Sequence, residues 1–76
     1  MITVKLYGLI RIESGIKEKQ VDAKNIKELL DQLSDCGIPR NDLNGCAILV
    51  NGTAAGKRYK LTDGDTVVLM SPVAGG

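Results

Sequence analysis

The residues of this sequence best suited to perform chemistry lie at its C-terminus, where the last two residues are Gly75 and Gly76. Glycine loses more backbone entropy on ordering than any other residue, so a Gly-Gly pair at this place stabilises no fold. A frayed end is the ordinary explanation for such a pair. The alternative is that the terminus itself is the working part of the molecule.

Few other residues could perform chemistry. The chain has no His, and therefore lacks the usual general base at neutral pH. Cys36 and Cys46 are too few and too far apart for a zinc site, so we predict no metal site. We expect both to be free thiols acting as small apolar residues, although a disulfide is possible. Asp63 and Asp65 flank a glycine and are interpreted as turn formers. We therefore expect the chain not to be an enzyme by itself.

Length and charge limit the classes of partner. The 76 residues form one domain, and the formal net charge of +1 argues against a nucleic-acid partner. The apolar runs are too short to span a bilayer, and the first residues alternate, unlike a signal peptide, so we expect a cytoplasmic protein without a membrane partner. Lys57, Arg58 and Lys60 form a basic cluster that is either a solvated loop or a docking contact for an acidic partner.

The pattern of apolar residues predicts strands at both ends of the chain. Residues 2–8, ITVKLYG, alternate strictly, and residues 66–71, TVVLMS, are almost wholly apolar. Pro72 lacks an N–H, so strand pairing should stop there. The first and last strands are the most apolar, so we expect them to be central and adjacent. The domain should span residues 1–72, with a flexible tail at residues 73–76.

The best helix is predicted for residues 25–37. Asn25 is a good N-cap, and an apolar stripe follows at helical spacing, formed by Ile26, Leu29, Leu30 and Leu33. Gly37 provides a left-handed stop, and Pro39 blocks continuation. Before this helix, we predict an extended strand or a helical turn at 9–15 and an edge strand at 16–22. After it, we predict a loop or short turn at 39–45, a strand at 46–52 that ends in an Asn-Gly turn, a loop at 53–56 and a very short strand at 59–61. One main helix on a mixed sheet of four to five strands is an α+β two-layer domain.

This order, with its Gly-Gly end, resembles the β-grasp fold of ubiquitin-like proteins, and more narrowly the ThiS/MoaD family of sulfur carriers. The stretch VKLYGLIRIESG is similar to the start of MoaD proteins. ILVNG and LTDGDTVVLMSPVAGG match the family pattern of a strand ending V-N, then L-x-D-G-D-x-V, then P-P-V-x-G-G. Ser71 replaces the first proline of the last motif, whereas Pro72 and Val73 favour the MoaD branch, the small subunit of molybdopterin synthase.

The resemblance implies that the carboxylate of Gly76 is the reactive group. In the family, an E1-like enzyme of the MoaB, MoeB or ThiF type uses ATP to adenylate this carboxylate, and a sulfur donor converts the adenylate to a thiocarboxylate. The sulfur passes to a cofactor precursor on a MoaE-like large subunit or a thiazole synthase-like acceptor. The carrier is then a co-substrate with no tightly bound cofactor. Pro72, Val73, Ala74 and Gly75 would form the segment that enters the partner, since small residues allow close approach to a nucleotide.

A docking face is also expected on the sheet. By resemblance to β-grasp proteins, Val67 and Leu69 face the helix, and Ile48 and Val50 face the core. The residues that alternate with them, Ala47, Leu49, Val68 and Met70, would then form an apolar patch on the opposite face, of the kind that usually marks a protein interface. The alternative is that the loop at residues 53–61 covers this face.

Three functions stay open at the level of the sequence. The first is a sulfur carrier, for molybdopterin or for thiamine. The second is a ubiquitin-like modifier joined to lysines through Gly76. The third is a β-grasp scaffold with an idle tail.

Overall fold

The first and last strands of the chain lie side by side in the middle of one five-stranded sheet. The computed structural model describes residues 1–71. The strand order is β2-β1-β5-β3-β4, with β1 and β5 parallel and the other neighbours antiparallel. This confirms the central and adjacent position predicted for the two most apolar strands. The strands are β1 (Ile2–Tyr7), β2 (Glu18–Val21), β3 (Ala47–Val50), β4 (Thr53–Ala54) and β5 (Thr66–Met70).

Three helices cover one face of this sheet. They are α1 (Leu9–Ser14), α2 (Ile26–Asp35) and α3 (Arg40–Asn44). The ambiguous segment 9–15 is therefore a helix rather than an extension of β1. The segment 39–45, expected to be a loop or short turn, contains a helix of five residues.

The longest helix, α2, begins and ends where local sequence signals place it. The side chain of Asn25 accepts a hydrogen bond from the Glu28 N–H at 2.8 Å, as an N-cap does. At the other end Gly37 has a φ of 104°, and the N–H of Ile38 bonds the carbonyl of Leu33 at 3.2 Å. This is the Schellman arrangement that a left-handed glycine permits. The predicted cap and stop of α2 are both confirmed.

The core lies between α2 and the inner face of the sheet. Val4, Leu6, Val67 and Leu69 are fully buried on β1 and β5, which confirms the alternation predicted for those strands. The other buried apolar residues are Ile2, Ile10, Val21, Ala23, Ile26, Leu29, Leu30, Leu33, Ile38, Leu43 and Val50. All are aliphatic, so this small core is formed without an aromatic ring.

Two details between residues 46 and 61 differ from expectation. The loop expected at 53–56 contains the short strand β4, because Asn51 and Gly52 have φ values of 50° and 87° and form a two-residue hairpin turn after β3. Instead of a strand at 59–61, there is a single antiparallel bridge between Asn25 and Lys60. The third strand, β3, ends at Val50, and the Asn-Gly turn predicted at its end is confirmed.

Candidate functional site

The site that the sequence predicts consists of a tail and a sheet face. Residues 72–76, which include Pro72, Val73, Ala74, Gly75 and Gly76, lie outside the described residues. The structure therefore describes the base from which the tail starts, Ser71, and the sheet face that ends beside it.

Ser71 is held in place by both its backbone and its side chain. Its N–H donates to the carbonyl of Tyr7 at 3.1 Å, which continues the pairing of β5 with β1 by one residue. Its hydroxyl accepts from the N–H of Ile10 at 2.7 Å and donates to the same Tyr7 carbonyl at 3.4 Å. Ser71 is 9% exposed and is the one buried polar side chain among residues 1–71. The residue before the tail is thus immobilised against α1.

The hydroxyl of Ser71 replaces an N-cap that α1 lacks. Gly8 occupies the N-cap position of this helix and has no side chain with which to satisfy the first N–H groups. Ser71, distant in sequence, satisfies the N–H of Ile10 instead. The departure from the family motif noted at Ser71 therefore has a structural role. Sequence reasoning missed this role because the donor and the acceptor are 61 positions apart.

Gly8 permits this contact by its lack of a β-carbon. Its φ of 80° and ψ of −150° fall in a region that is essentially restricted to glycine. A β-carbon at this position would lie 2.1 Å from the carbonyl oxygen of Ser71, far inside van der Waals contact. The position between β1 and α1 therefore requires glycine for two independent reasons.

The outer face of the sheet carries two cross-strand rows of side chains. In one row Tyr7 of β1, Met70 of β5 and Ala47 of β3 are neighbours. In the next row Lys5, Val68 and Leu49 are neighbours, followed by Ala54 of β4. Residues paired across strands share a face, so the structure brings together the four residues predicted for the docking patch.

This outer face is open to solvent at the end from which the tail starts. Met70 is 45% exposed and Tyr7 is 40% exposed, whereas Val68 and Leu49 are half-buried by their neighbours. Tyr7 extends the predicted patch with an aromatic side chain that sequence reasoning did not assign to it. Because Met70 precedes Ser71, the exposed apolar surface is continuous with the base of the tail.

The loop between β4 and β5 does not cover this face. Its backbone turns instead to the N-terminus of α2, where the carbonyls of Lys57 and Tyr59 accept from the N–H groups of Lys27 and Ile26, both at 3.1 Å. Met70 stays 45% exposed, so this segment leaves at least that part of the patch uncovered.

Comparison with known proteins identifies the family of this chain. The model of the ThiS family matches residues 4–76, nearly the whole chain. The chain belongs to the ThiS family. A search of curated proteins finds no significant match. The fold is the ubiquitin-like β-grasp, and the ThiS-family chain is related to small sulfur carriers and ubiquitin-like modifiers.

Solved structures support this placement over the full length. A chain in the complex of subunits 1 and 2 of molybdopterin-converting factor from Helicobacter pylori 26695 is 29% identical, with a TM-score of 0.75 and coverage of 99% of this chain and 97% of that chain. Urm1 from Trypanosoma brucei is also 29% identical, with a TM-score of 0.74 and coverage of 99% and 94%. The BexX/CysO complex of Amycolatopsis orientalis contains a chain of the same fold, with a TM-score of 0.80, 22% identity and complete coverage of both chains. Two of these three structures are complexes with a partner protein.

In this ThiS-family chain the two aspartates of the Asp-Gly-Asp motif have structural roles. The carboxylate of Asp65 accepts from the N–H of Thr62 at 2.8 Å and from the side-chain amide of Asn51 at 2.9 Å. These two hydrogen bonds hold the pKa of Asp65 below its ordinary value. Asp63 forms an exposed ion pair with the amino group of Met1. Their interpretation as turn residues agrees with these contacts.

The two cysteines are free and differ in environment. Cys36 is exposed and accepts a hydrogen bond from the amino group of Lys19 at 3.0 Å, so the expectation that it acts as a small apolar residue is wrong. Cys46 is half-buried, and its thiol donates to the carbonyl of Asp42 at 3.2 Å. Burial, with a contribution from the Asp42 carboxylate, raises the pKa of the Cys46 thiol. Within residues 1–71, no group of three or more His, Cys, Asp or Glu is placed to hold a metal ion.

A groove of about 250 Å³ lies beside α1, between that helix and the segment that follows α2. The carboxyls of Glu13 and Asp42 both line it, and the interaction of Glu13 with Asp42 raises the pKa of Glu13. Sequence reasoning did not find this pair because the two residues belong to different helices. None of the helices in the described part of the chain has the length and apolar character needed to cross a membrane.

Proposed function

We propose that the chain is a sulfur carrier whose reactive group is the C-terminal carboxylate of Gly76. The observation that carries the proposal is that the ThiS-family match extends through Gly75 and Gly76. The fold supports it, because β5 leads directly to the tail and Ser71 is anchored immediately before it. A rigid domain with a fixed exit point is suited to delivering a short tail into a partner.

The proposed chemistry has two steps, both in the active site of a partner enzyme. A carboxylate oxygen of Gly76 attacks the α-phosphorus of ATP, and pyrophosphate leaves, so that the carboxyl carbon becomes an acyl-adenylate. Hydrosulfide supplied by a donor then attacks this carbon, AMP leaves, and loss of the sulfur-bound proton gives the thiocarboxylate. ATP is thus a substrate of the E1-like partner, and the chain itself needs no bound cofactor.

Glycine at the last two positions suits this chemistry. Without a β-carbon, the backbone can approach a nucleotide closely and adopt dihedral angles closed to other residues. The carrier contributes the acyl group alone, so we propose that it is a co-substrate and not a catalyst. Because activation consumes ATP, we place the process in the cytoplasm.

The outer face is proposed as the surface on which partners dock. Met70 and Tyr7 are exposed beside the start of the tail, so a partner that receives the tail would also cover them. The partners are an E1-like adenylating enzyme and a synthase subunit that accepts the sulfur. The 29% identity to a chain of the H. pylori molybdopterin-converting factor complex favours molybdopterin as the destination. Thiamine synthesis is the alternative, because the matching family model is ThiS.

Intact-mass spectrometry tests the carrier function. The purified chain is incubated with a MoeB- or ThiF-type enzyme, ATP and a sulfur donor. We expect a mass increase that corresponds to exchange of one oxygen for sulfur, located at Gly76 by fragmentation. A variant lacking Gly75 and Gly76 should show no exchange. Exchange elsewhere, or full pathway function in cells that carry only the truncated chain, would contradict the proposal and leave the scaffold interpretation.

A second candidate function is covalent modification of proteins. The observation that favours it is the 29% identity to Urm1 from T. brucei, since Urm1 belongs to the ubiquitin-like proteins. The same adenylate would then be attacked by a lysine amine, with an isopeptide bond formed through Gly76. Peptide mass spectrometry of cells expressing the tagged chain distinguishes the two functions. Gly-Gly remnants on lysines of other proteins would support modification.

A further inference from the structure

Half of the basic residues of the chain lie together at one end of the domain. The chain has ten Lys and Arg residues, and five of them surround the N-terminus of α2. They come from two segments distant in sequence, residues 24–27 and residues 57–60. We call the set the basic patch, and all of its members are exposed: Lys24, Lys27, Lys57, Arg58 and Lys60.

Backbone hydrogen bonds hold the two segments together. The N–H groups of Ile26 and Lys27 donate to carbonyls of the 57–60 segment, and the N–H of Leu61 donates to the carbonyl of Lys24 at 2.8 Å. Asn25 and Lys60 also form an antiparallel bridge. The backbone is therefore fixed while the cationic side chains project from it. This arrangement differs from a freely solvated loop, because the charges are displayed on a defined surface.

Most of the charge in the patch is not neutralised locally. Within residues 1–71, Lys27 is the one patch member in an ion pair, with Asp31 at 3.6 Å. The amino group of Lys57 bonds a neutral acceptor, the amide oxygen of Asn44, at 3.3 Å. Lys24, Arg58 and Lys60 have no carboxylate within ion-pair distance in that range.

The patch lies at the end of the domain opposite to the start of the tail. Lys24 follows β2, whose last residue, Val21, pairs with Ile2 at the beginning of β1. Ser71 lies beyond the other end of β1, where it pairs with Tyr7. Six strand residues separate the two ends, roughly 18 Å. A protein bound to the patch would leave the tail accessible.

We propose that the basic patch is a docking surface for an acidic protein surface, separate from the outer face of the sheet. Complementary charge on a partner speeds and orients association. A protein partner fits better than a nucleic acid. Glu28 in the first turn of α2 and Asp31, which pairs with Lys27, place carboxylates among these cations. A continuous polyphosphate would have to pass them, whereas individual Glu and Asp side chains of a protein can be matched to individual cations. The net charge of +1 agrees with this choice.

Nuclear magnetic resonance with a defined probe tests the proposal. The ¹⁵N-labelled full chain is titrated with a capped peptide of about ten glutamates, as a stand-in for an acidic protein surface, and in parallel with an oligouridylate of equal charge. We expect the peptide to perturb the amides of residues 24–28 and 57–61 selectively. The affinity should fall as salt rises. Perturbation spread over other faces would overturn the proposal, as would tighter binding of the RNA.

Matched charge reversals separate the patch from net charge. R58E/K60E and K17E/K19E each change the formal net charge from +1 to −3. R58E/K60E should weaken peptide binding by about tenfold or more, and K17E/K19E by no more than about threefold. Equal loss in both variants would overturn the proposal. If R58E/K60E fails to fold, R58Q/K60Q is used against K17Q/K19Q with the same criterion. Deletion of Gly75 and Gly76 should leave peptide binding unchanged, so this test is independent of the carrier chemistry.

Discussion

The carbonyl oxygen of Ser71 lies 2.1 Å from the position that a β-carbon of residue 8 would occupy. Any residue other than Gly8 would therefore clash with the backbone of Ser71. This contact joins the start of α1 to the end of β5. The Ser71 hydroxyl then bonds the N–H of Ile10. The residue from which the tail departs is consequently held by the opposite end of the sequence.

Replacing Gly8 with Ala should be strongly destabilising. The new methyl group would clash with the Ser71 carbonyl, and the backbone at φ 80° and ψ −150° disfavours any β-carbon, so we expect a loss of about 2 kcal/mol or more in the free energy of unfolding. Gly15 is the matched control. Its φ is 72°, but nothing lies within 4 Å of its β-carbon position, so G15A should cost only the roughly 1 kcal/mol of placing an alanine in the left-handed region. Equal losses in urea denaturation would contradict the proposed clash.

Replacing Ser71 with Ala should remove the cap of α1. The N–H of Ile10 would lose its acceptor in a buried place, at a cost of about 1–2 kcal/mol. Amide hydrogen exchange at Ile10 should accelerate together with this loss. S34A is the control, because Ser34 lies in α2 and has no side-chain hydrogen bond among the described residues. Unchanged protection of Ile10 in S71A would show that the hydroxyl is not its acceptor in solution.

Replacing Met70 with Asp should impair docking without unfolding the domain. Met70 is 45% exposed, so we expect a change below about 0.5 kcal/mol in unfolding free energy. Binding to the adenylating enzyme and to the synthase partner should weaken by about tenfold or more, measured by calorimetry. Ile12, 74% exposed on α1, supplies the control I12D, which makes the same change of polarity away from the sheet face. Unaltered binding of M70D to both partners would exclude the outer face as the docking surface.

The Asp65 carboxylate should make the stability of the domain depend on acid pH. Hydrogen bonds lower the pKa of Asp65 in the folded state. Its contribution to the free energy of unfolding is therefore complete above the unfolded pKa of about 3.9 and is lost as pH falls through the folded pKa. D65N should lower the melting temperature at pH 7, and the difference from wild type should shrink below about pH 4. D35N alters an exposed carboxylate without an ion pair in residues 1–71 and serves as the control. A difference for D65N that stays constant down to pH 2 would refute the linkage.

The Glu13 carboxyl should change the pH dependence of stability in the direction opposite to that of Asp65. Its interaction with Asp42 raises the pKa of Glu13 in the folded state. The stability of the folded domain therefore falls as pH rises through the range in which Glu13 loses its proton. E13Q should therefore raise the melting temperature at pH 7 and give no gain near pH 3, where the wild-type carboxyl is protonated. E18Q, an exposed substitution on β2, should lack this pH dependence. An equal effect of E13Q at both pH values would contradict the interaction with Asp42 as the cause of the raised pKa.

Helices and strands whose signals lie within a few neighbouring residues could be predicted from the sequence. Asn25, the leucine stripe and Gly37 lie within one helix length of each other, and the bounds of α2 follow from them. The strict alternation of β1 likewise predicted which of its side chains face the core, whereas for the almost wholly apolar β5 this assignment came from the resemblance to β-grasp proteins. The C-terminal Gly-Gly and the motif before it were sufficient to predict the family.

Features that depend on contacts between distant residues could be identified only in the folded structure. α1 was ambiguous because a six-residue helix without its own cap is marginal in isolation, and its cap is the hydroxyl of Ser71. The basic patch forms only because residues 57–60 return to the N-terminus of α2, which no local pattern predicts. Register between β1, β5 and β3 places Met70 between Tyr7 and Ala47. Local signals specify backbone conformation over a few residues, whereas surfaces are formed by pairing across the chain, and only folding determines which segments meet.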